Sequence, residues 1–138
     1  EVASPLYMAK TELTAGEYAA GTGATIPAAA ADVPRGMVTV IEAMEFCNLL
    51  SQKEALSAAY DSRSGNYRPR AADGYRLVST VEGEYAALGG RDVTWQPTPA
   101  EWDAIAWYGA NSDGKIHAVA LKNASPFGVH DLYGNVWE

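Results

Sequence analysis

The segment "DLYGNVWE", residues 131–138, reads as the interior of a turn. Gly134-Asn135 is a pair that readily enters the left-handed backbone region, and Val136-Trp137 then supplies apolar bulk. Chain ends are ordinarily polar and loosely held because little packs over them. A Gly-Asn turn leading into Val-Trp-Glu is therefore expected to lie inside a domain, with further polypeptide or a partner chain packed beyond it. Left uncovered, Val136 and Trp137 would present apolar surface and backbone edges that folded proteins normally cover.

Outward from that turn, four places carry Ser or Thr followed three residues later by Glu. They are Thr14 with Glu17, Thr39 with Glu42, Ser79 with Glu82, and Thr98 with Glu101. Each pair can satisfy two free backbone N–H groups at a helix entrance, so each predicts a helix start. After Thr39, the stretch "IEAMEFCNLLSQKEAL" places Ala43, Phe46, Cys47, Leu49 and Leu50 in an apolar stripe at helical spacing. After Ser79, Val81, Tyr85 and Leu88 share a face, and Gly89-Gly90 gives a stop. Gly83 inside that helix should cost about 1 kcal/mol relative to Ala. After Thr98, Pro99 takes the favoured first helical position.

The intervening stretches "AAGTGATIPAAAADVPRG", "YDSRSGNYRPRAADG" and "GANSDGK" are dense in turn formers. Pro27 and Pro34 bracket the alanines at 28–31, which predicts a loop there. Short strands are expected at "LYMAK" (6–10), "YRLV" (75–78) and "HAVAL" (117–121). The pattern predicts an α+β fold with short strands, few helices and long loops, the kind of loops that usually bind something.

The 138 residues suffice for one domain with one core, and a single domain over 1–138, interrupted at its terminal turn, is the expected organisation. The net charge of −7 opposes attraction to phosphate backbones, so no nucleic-acid partner is expected. No stretch is apolar enough for membrane insertion as a helix. Arg63, Arg68, Arg70 and Arg76 lie close in sequence and read as a charge-balanced, solvated loop in preference to an anion site. The compartment is left open, because Cys47 is alone and carries no disulfide signal. It reads as a small buried hydrophobe. His117 and His130 are too few and too far apart for a metal cluster or an acid–base pair.

Taken in order, "MAKTELTAGEYAA", "EAMEFCNLLSQKEAL", "DGYRL", "EGEYAALGG", "AWYGANSDGKIHAVALKN" and "FGVHDLYGNVWE" resemble the domain of the formylglycine-generating enzyme, or sulfatase-modifying factor. That family has a variant of the C-type lectin fold. The resemblance implies that the Gly-Asn-Val-Trp-Glu motif is followed by a C-terminal segment holding an Arg-Gly-Gly-Ser-Trp stretch and a pair of copper-binding cysteines. Cys47 matches neither of those cysteines. Copper is thus implied only where a segment after residue 138 supplies them. The chain departs from the family at its third helix, where Gly83 stands in place of a Trp, and before the Phe-Gly turn, where Ser125-Pro126 replaces Pro-Asn. Loss of the ring implies a rearranged core or an exposed surface at that point.

The resemblance also implies calcium near the terminal motif, with Gly134, Asn135, Val136 and Glu138 as the candidate oxygen donors. The competing reading has Asn135 and Glu138 holding the turn through hydrogen bonds. Asn111 and Asp113 are candidates for a second site, although Asn-Ser-Asp-Gly is an ordinary turn sequence, which is the favoured reading. Among the aromatics, Trp95, Trp102, Trp107 and Tyr108 cluster around the fourth helix, with Trp102 and Trp107 expected in the core. Tyr60 and Tyr67, with Arg68, are the expected exposed ligand contacts. The first functional expectation is a noncatalytic domain that presents loops to a protein or glycan ligand, as variable receptor-binding proteins of this broad fold do. The alternative is the N-terminal part of a formylglycine-generating oxidase whose catalytic cysteines lie beyond residue 138. A third reading is a structural module within a surface or secretion assembly.

Overall fold

The computed structural model describes residues 6–61 and 72–137; Tyr67, Arg68 and Glu138 lie outside the described residues, as do Arg63 and Arg70. Among the described residues four α-helices run in order: α1 (Ala15–Thr22), α2 (Val40–Lys53), α3 (Thr80–Leu88) and α4 (Pro99–Ile105). Each begins with one of the four expected pairs. Thr14, Thr39, Ser79 and Thr98 accept from the N–H three residues on, and the Glu at that position reaches back to the cap N–H. The resulting closure at each entrance is local, so it survives in a fold otherwise dominated by loops.

Helix α1 packs against α2. Tyr18 stacks on Phe46 with ring centroids 5.0 Å apart, and a Cβ on Gly21 would come within 2.6 Å of the Phe46 ring. The segment after α1 turns back along it, with Ala15 and Gly16 N–H donating to the carbonyls of Val33 (2.8 Å) and Ala31 (2.9 Å). Within that segment, Ala28–Ala30 form one turn of 3₁₀ helix where a plain loop was expected. The two prolines still bound it, and three residues are as far as it runs.

The polar face of α2 fastens the middle of the chain. Asn48 exchanges hydrogen bonds with the Tyr60 backbone at 3.0 and 3.1 Å. Ser51, fully buried, donates to the Cys47 carbonyl and accepts from the Tyr75 N–H, both at 2.8 Å. Cys47, Ala59 and Tyr60 form a buried cluster with Met44 and Ala72 against it. Cys47 is therefore the buried small hydrophobe expected, and burial pushes its thiol pKa up.

No strand or sheet forms among the described residues; two isolated bridges, Thr14 with Pro34 and Trp107 with Gly134, stand in their place. This corrects the strands expected at 6–10, 75–78 and 117–121. The reason is where their N–H groups go. Tyr75 and Leu77 donate to Ser51 Oγ and the Tyr60 hydroxyl, and His117 and Ala120 donate to Asn135 Oδ1 and Asp131 Oδ2. Extended segments whose donors are met by scattered side chains have no need of a ladder.

Gly83 sits on α3 with nothing within 4 Å of where a Cβ would be. The position is open, which selects the exposed-surface alternative for the missing Trp. Gly83→Ala is accordingly expected to stabilise the protein by about 0.5–1 kcal/mol in urea unfolding. At the start of α3, Arg76 forms a two-pronged ion pair with Glu82, one prong at 2.8 Å. The Arg76 guanidinium and the Ser79 N–H hold the Glu82 carboxyl down to about 2, below its unfolded value. Its contribution is thus present above pH ~4.5 and fades as pH falls towards 2. Acid titration of Glu82→Gln against the parent should show a smaller stability loss across that window.

Candidate functional site: the Asn135 turn and the aromatic groove

Helix α4 is short, and the chain leaves it in extended form at Ala106. That extension carries Trp107 alongside Gly134, where Asn135 N–H donates to the Trp107 carbonyl at 2.9 Å. Gly134 has φ +81°, and a Cβ there would run into the Trp107 carbonyl oxygen. Glycine is required at this point by both backbone conformation and close approach. Asn135 follows at φ +57°, a region Asn tolerates better than most residues.

The Asn135 side chain joins three distant parts of the chain. Its Oδ1 accepts the His117 N–H at 3.0 Å, and its Nδ2 donates to Glu12 Oε2 at 2.8 Å and to the His117 carbonyl at 3.2 Å. The His117 ring stacks on Trp107, centroids 3.7 Å apart, while its Nε2 lies 3.0 Å from the Ser112 carbonyl. Lys122 Nζ stands 3.9 Å from the Trp107 ring centroid and donates to the Asp103 carbonyl. These contacts assign Asn135 to holding the turn. Asn111 holds the neighbouring turn: its Oδ1 accepts the Tyr108 N–H at 2.8 Å, and its Nδ2 donates to Asp103 and the Ala106 carbonyl.

Beside the Asn135 turn lies an open groove of about 490 Å³, lined by Pro99, Trp102, Ala106, Tyr108, Tyr133 and Gly134. Trp102 and Tyr133 meet at right angles, centroids 5.2 Å apart. The Tyr108 hydroxyl donates to Asp103 Oδ1 at 2.6 Å, an interaction that raises the phenol pKa. Trp102 and Trp107 are both half-buried, so each departs from the interior position expected for it and keeps part of its ring accessible. Tyr60 departs in the other direction. It is 5% exposed, and its hydroxyl accepts the Leu77 N–H at 2.8 Å, so the exposed placement expected for it is corrected. The residues that follow it, from Asp61 to Ser64 in sequence, are polar, but its ring packs with Cys47 and Ala59.

A second, much smaller cavity of about 20 Å³ lies between α3, α4 and the 123–133 segment. Ser125 Oγ and Asp131 Oδ1, both lining it, are buried with no hydrogen-bond partner among the described residues. The volume suits one water molecule, which such atoms usually bind. Asp131 Oδ2 meanwhile accepts the Ala120 N–H at 2.7 Å, so this residue also braces the segment that carries Tyr133.

Sequence reasoning placed Trp102 and Tyr108 together but missed Pro99 and Tyr133 as their companions. Tyr133 lies in an irregular stretch where no periodicity marks a shared face. Among the described residues, no three His, Cys, Asp or Glu side chains gather as a metal site, and no helix is long and apolar enough to cross a membrane.

Comparison with known proteins places this geometry. Treponema denticola variable protein 1 superposes with a TM-score of 0.73 at 30% identity, over 91% of this chain and 58% of that one. CarF superposes with a TM-score of 0.71 at 20% identity, over 88% of this chain and 63% of that one, and shares the fold. The chaperone protein LppX of Paenibacillus barcinonensis is 29% identical over 141 residues, which cover 76% of this chain and 50% of that protein. The chain thus spans half the length of this curated relative and about three fifths of the two solved structures. Both solved structures have the formylglycine-generating-enzyme-like, C-type lectin-like fold. The family profile of the sulfatase-modifying factor enzyme 1-like domain matches residues 1–138 throughout, and the chain belongs to that family.

Proposed function

We propose that the chain is a noncatalytic ligand- or protein-binding domain on a C-type lectin-like scaffold. The observation that carries this reading is the open aromatic groove at Trp102, Tyr108 and Tyr133. The groove is open and apolar, and its aromatic side chains offer large contact area at low conformational-entropy cost. Likeness to a protein named for its variability, and to one named a chaperone, supports binding of a receptor, protein or glycan as the scaffold's use.

The second reading, the N-terminal part of a formylglycine-generating oxidase, draws support from the family alone and needs copper-binding cysteines beyond residue 138. The two readings separate in one assay. The protein together with any polypeptide that follows residue 138, supplied with copper, oxygen and a sulfatase-type cysteine peptide, is expected to leave the peptide thiol intact. Conversion of that thiol to an aldehyde contradicts the binding-domain reading and establishes the oxidase.

A completing segment, either C-terminal polypeptide or a partner chain, belongs to the same proposal. Met37 and Trp137 are fully exposed, Val40 and Ile41 are mostly exposed, and Gly36 lies close to Val136. An apolar surface of this kind is normally covered.

Calcium at Gly134, Asn135, Val136 and Glu138 is proposed on the family resemblance. Asn135 Oδ1 already accepts the His117 N–H, and its second lone pair is the one an ion would use. If calcium binds there at saturating concentration, chelation lowers Tm by on the order of 5–10 °C. An unchanged melting curve on chelation removes the ion and leaves Asn135 as a hydrogen-bonding latch.

A further inference from the structure

We infer that the groove at Trp102, Tyr108 and Tyr133 binds a small quaternary ammonium compound of the choline type, free in solution. The inference rests on the binding-domain reading and specifies its ligand chemistry. Three observations converge on a cation.

The first is the way this protein treats its aromatic faces. Arg35 lies over Tyr18, Arg91 over Trp95 and Lys122 over Trp107, at 4.9, 4.3 and 3.9 Å from the ring centroids. Among the described residues, the rings of Trp102, Tyr108 and Tyr133 carry no such cation, and these are the rings that line the open space. Trp102 and Tyr133 pack edge to face, and the ring surface that this pair leaves open lines the groove together with Tyr108. Aromatic walls of this kind attract ammonium groups through the negative face of the ring, with Trp the strongest.

The second is charge. Asp103 stands at the hydroxyl of Tyr108, and the chain carries a net charge of −7. Both favour a cationic ligand over a neutral or anionic one. Lys122, the cation near Asp103, is engaged with the Asp103 carbonyl and the Trp107 ring, and Trp107 is not part of the groove lining.

The third is the state of the polar groups. A sugar needs several convergent donors and acceptors that are free to bind its hydroxyls. Here the lining side chains carry polar atoms only at the tips of Trp102, Tyr108 and Tyr133, and the Tyr108 hydroxyl already donates to Asp103, while Asn111 and Asp103 lie outside the lining and serve the 103–111 turn. What remains is an apolar, aromatic surface beside a carboxylate. A quaternary ammonium group has no N–H to satisfy, and it matches that surface.

The test is a titration of the protein with choline and, separately, with 3,3-dimethylbutan-1-ol, its neutral carbon isostere, followed by amide and indole NMR shifts. Choline is expected to shift Trp102, Ala106, Tyr108, Tyr133 and Gly134 and to bind at least about tenfold more tightly than the isostere. Asp103→Asn keeps an acceptor for the Tyr108 hydroxyl. It is expected to weaken choline about threefold and leave the isostere unchanged. Equal binding of the two probes overturns the cation and leaves a ligand-binding groove in place. Choline shifts confined to other residues, or none, overturn the proposal. Binding to phosphatidylcholine vesicles with no response to free choline overturns the assignment to a soluble ligand. Loss of every small probe from the groove, neutral ones included, overturns the choline proposal and removes the groove as the support for small-ligand binding.

Discussion

Alanine in place of Gly134 is expected to destabilise the protein by at least about 3 kcal/mol. Two independent costs act at one position. The φ of +81° is strained for any residue with a Cβ, and that Cβ would also collide with the Trp107 carbonyl. Relief requires the Trp107–Gly134 bridge to open, which removes the Asn135 N–H bond to Trp107 as well. Gly83→Ala in the same protein has the opposite sign, because there the helix is favourable and the surrounding space is open. Chemical denaturation of the two variants side by side separates the turn's requirement from a general intolerance of added bulk. A neutral Gly134→Ala would mean that residues 131–137 do not dock on the 106–107 segment.

Asn135→Ala is expected to cost roughly 2–4 kcal/mol. It removes the acceptor for the His117 N–H and the donor to Glu12, both part-buried, and it puts a less tolerant residue at φ +57°. Asn135→Asp sharpens the prediction. It keeps an acceptor for His117 but sets a carboxylate against Glu12, so the variant should be weakest near neutral pH and recover as the pH falls through the carboxylate range. Denaturant midpoints at several pH values check this. A pH-independent Asn135→Asp, with Asn135→Ala near wild-type stability, would contradict the latch. The effect should reach the groove too, since Gly134 lines it and is held in place by the same turn.

The helix entrances were legible because their code is local: a Ser or Thr and a Glu three residues on meet each other whatever the rest of the chain does. The burial of Cys47 was legible from helical periodicity for a similar reason. The strands were not. Segments 75–78 and 117–121 have alternating or β-branched character, but their partners are Ser51, Tyr60, Asn135 and Asp131, residues whose proximity depends on the finished fold. Tyr60 misled for the opposite reason. The residues that follow it are polar, and nothing in them reports that Asn48 and Ser51, from another element, draw residues 57–61 and 74–77 onto α2.

The site was legible in halves. Asn135 stood out because Gly-Asn before apolar bulk is unusual, and the chemistry of its side chain left two roles side by side, calcium ligand and turn holder. The groove was half visible as the aromatic cluster around α4. Tyr133 completes it from 31 positions beyond Trp102, brought there by the Asn135 latch and by Asp131 bracing the Ala120 N–H. Latch and groove are thus one construction, in which residues chosen for backbone geometry hold the residues available for binding.

The most direct test of the account is to map, by amide shifts on the labelled protein, where a panel of small neutral and cationic fragments binds. The account predicts that shifts concentrate at Trp102, Ala106, Tyr108, Tyr133 and Gly134 and are lost in Tyr133→Ala, with the rest of the spectrum unchanged. Fragments that gather instead around Cys47 and α2, or that leave the groove residues unmoved, would contradict it.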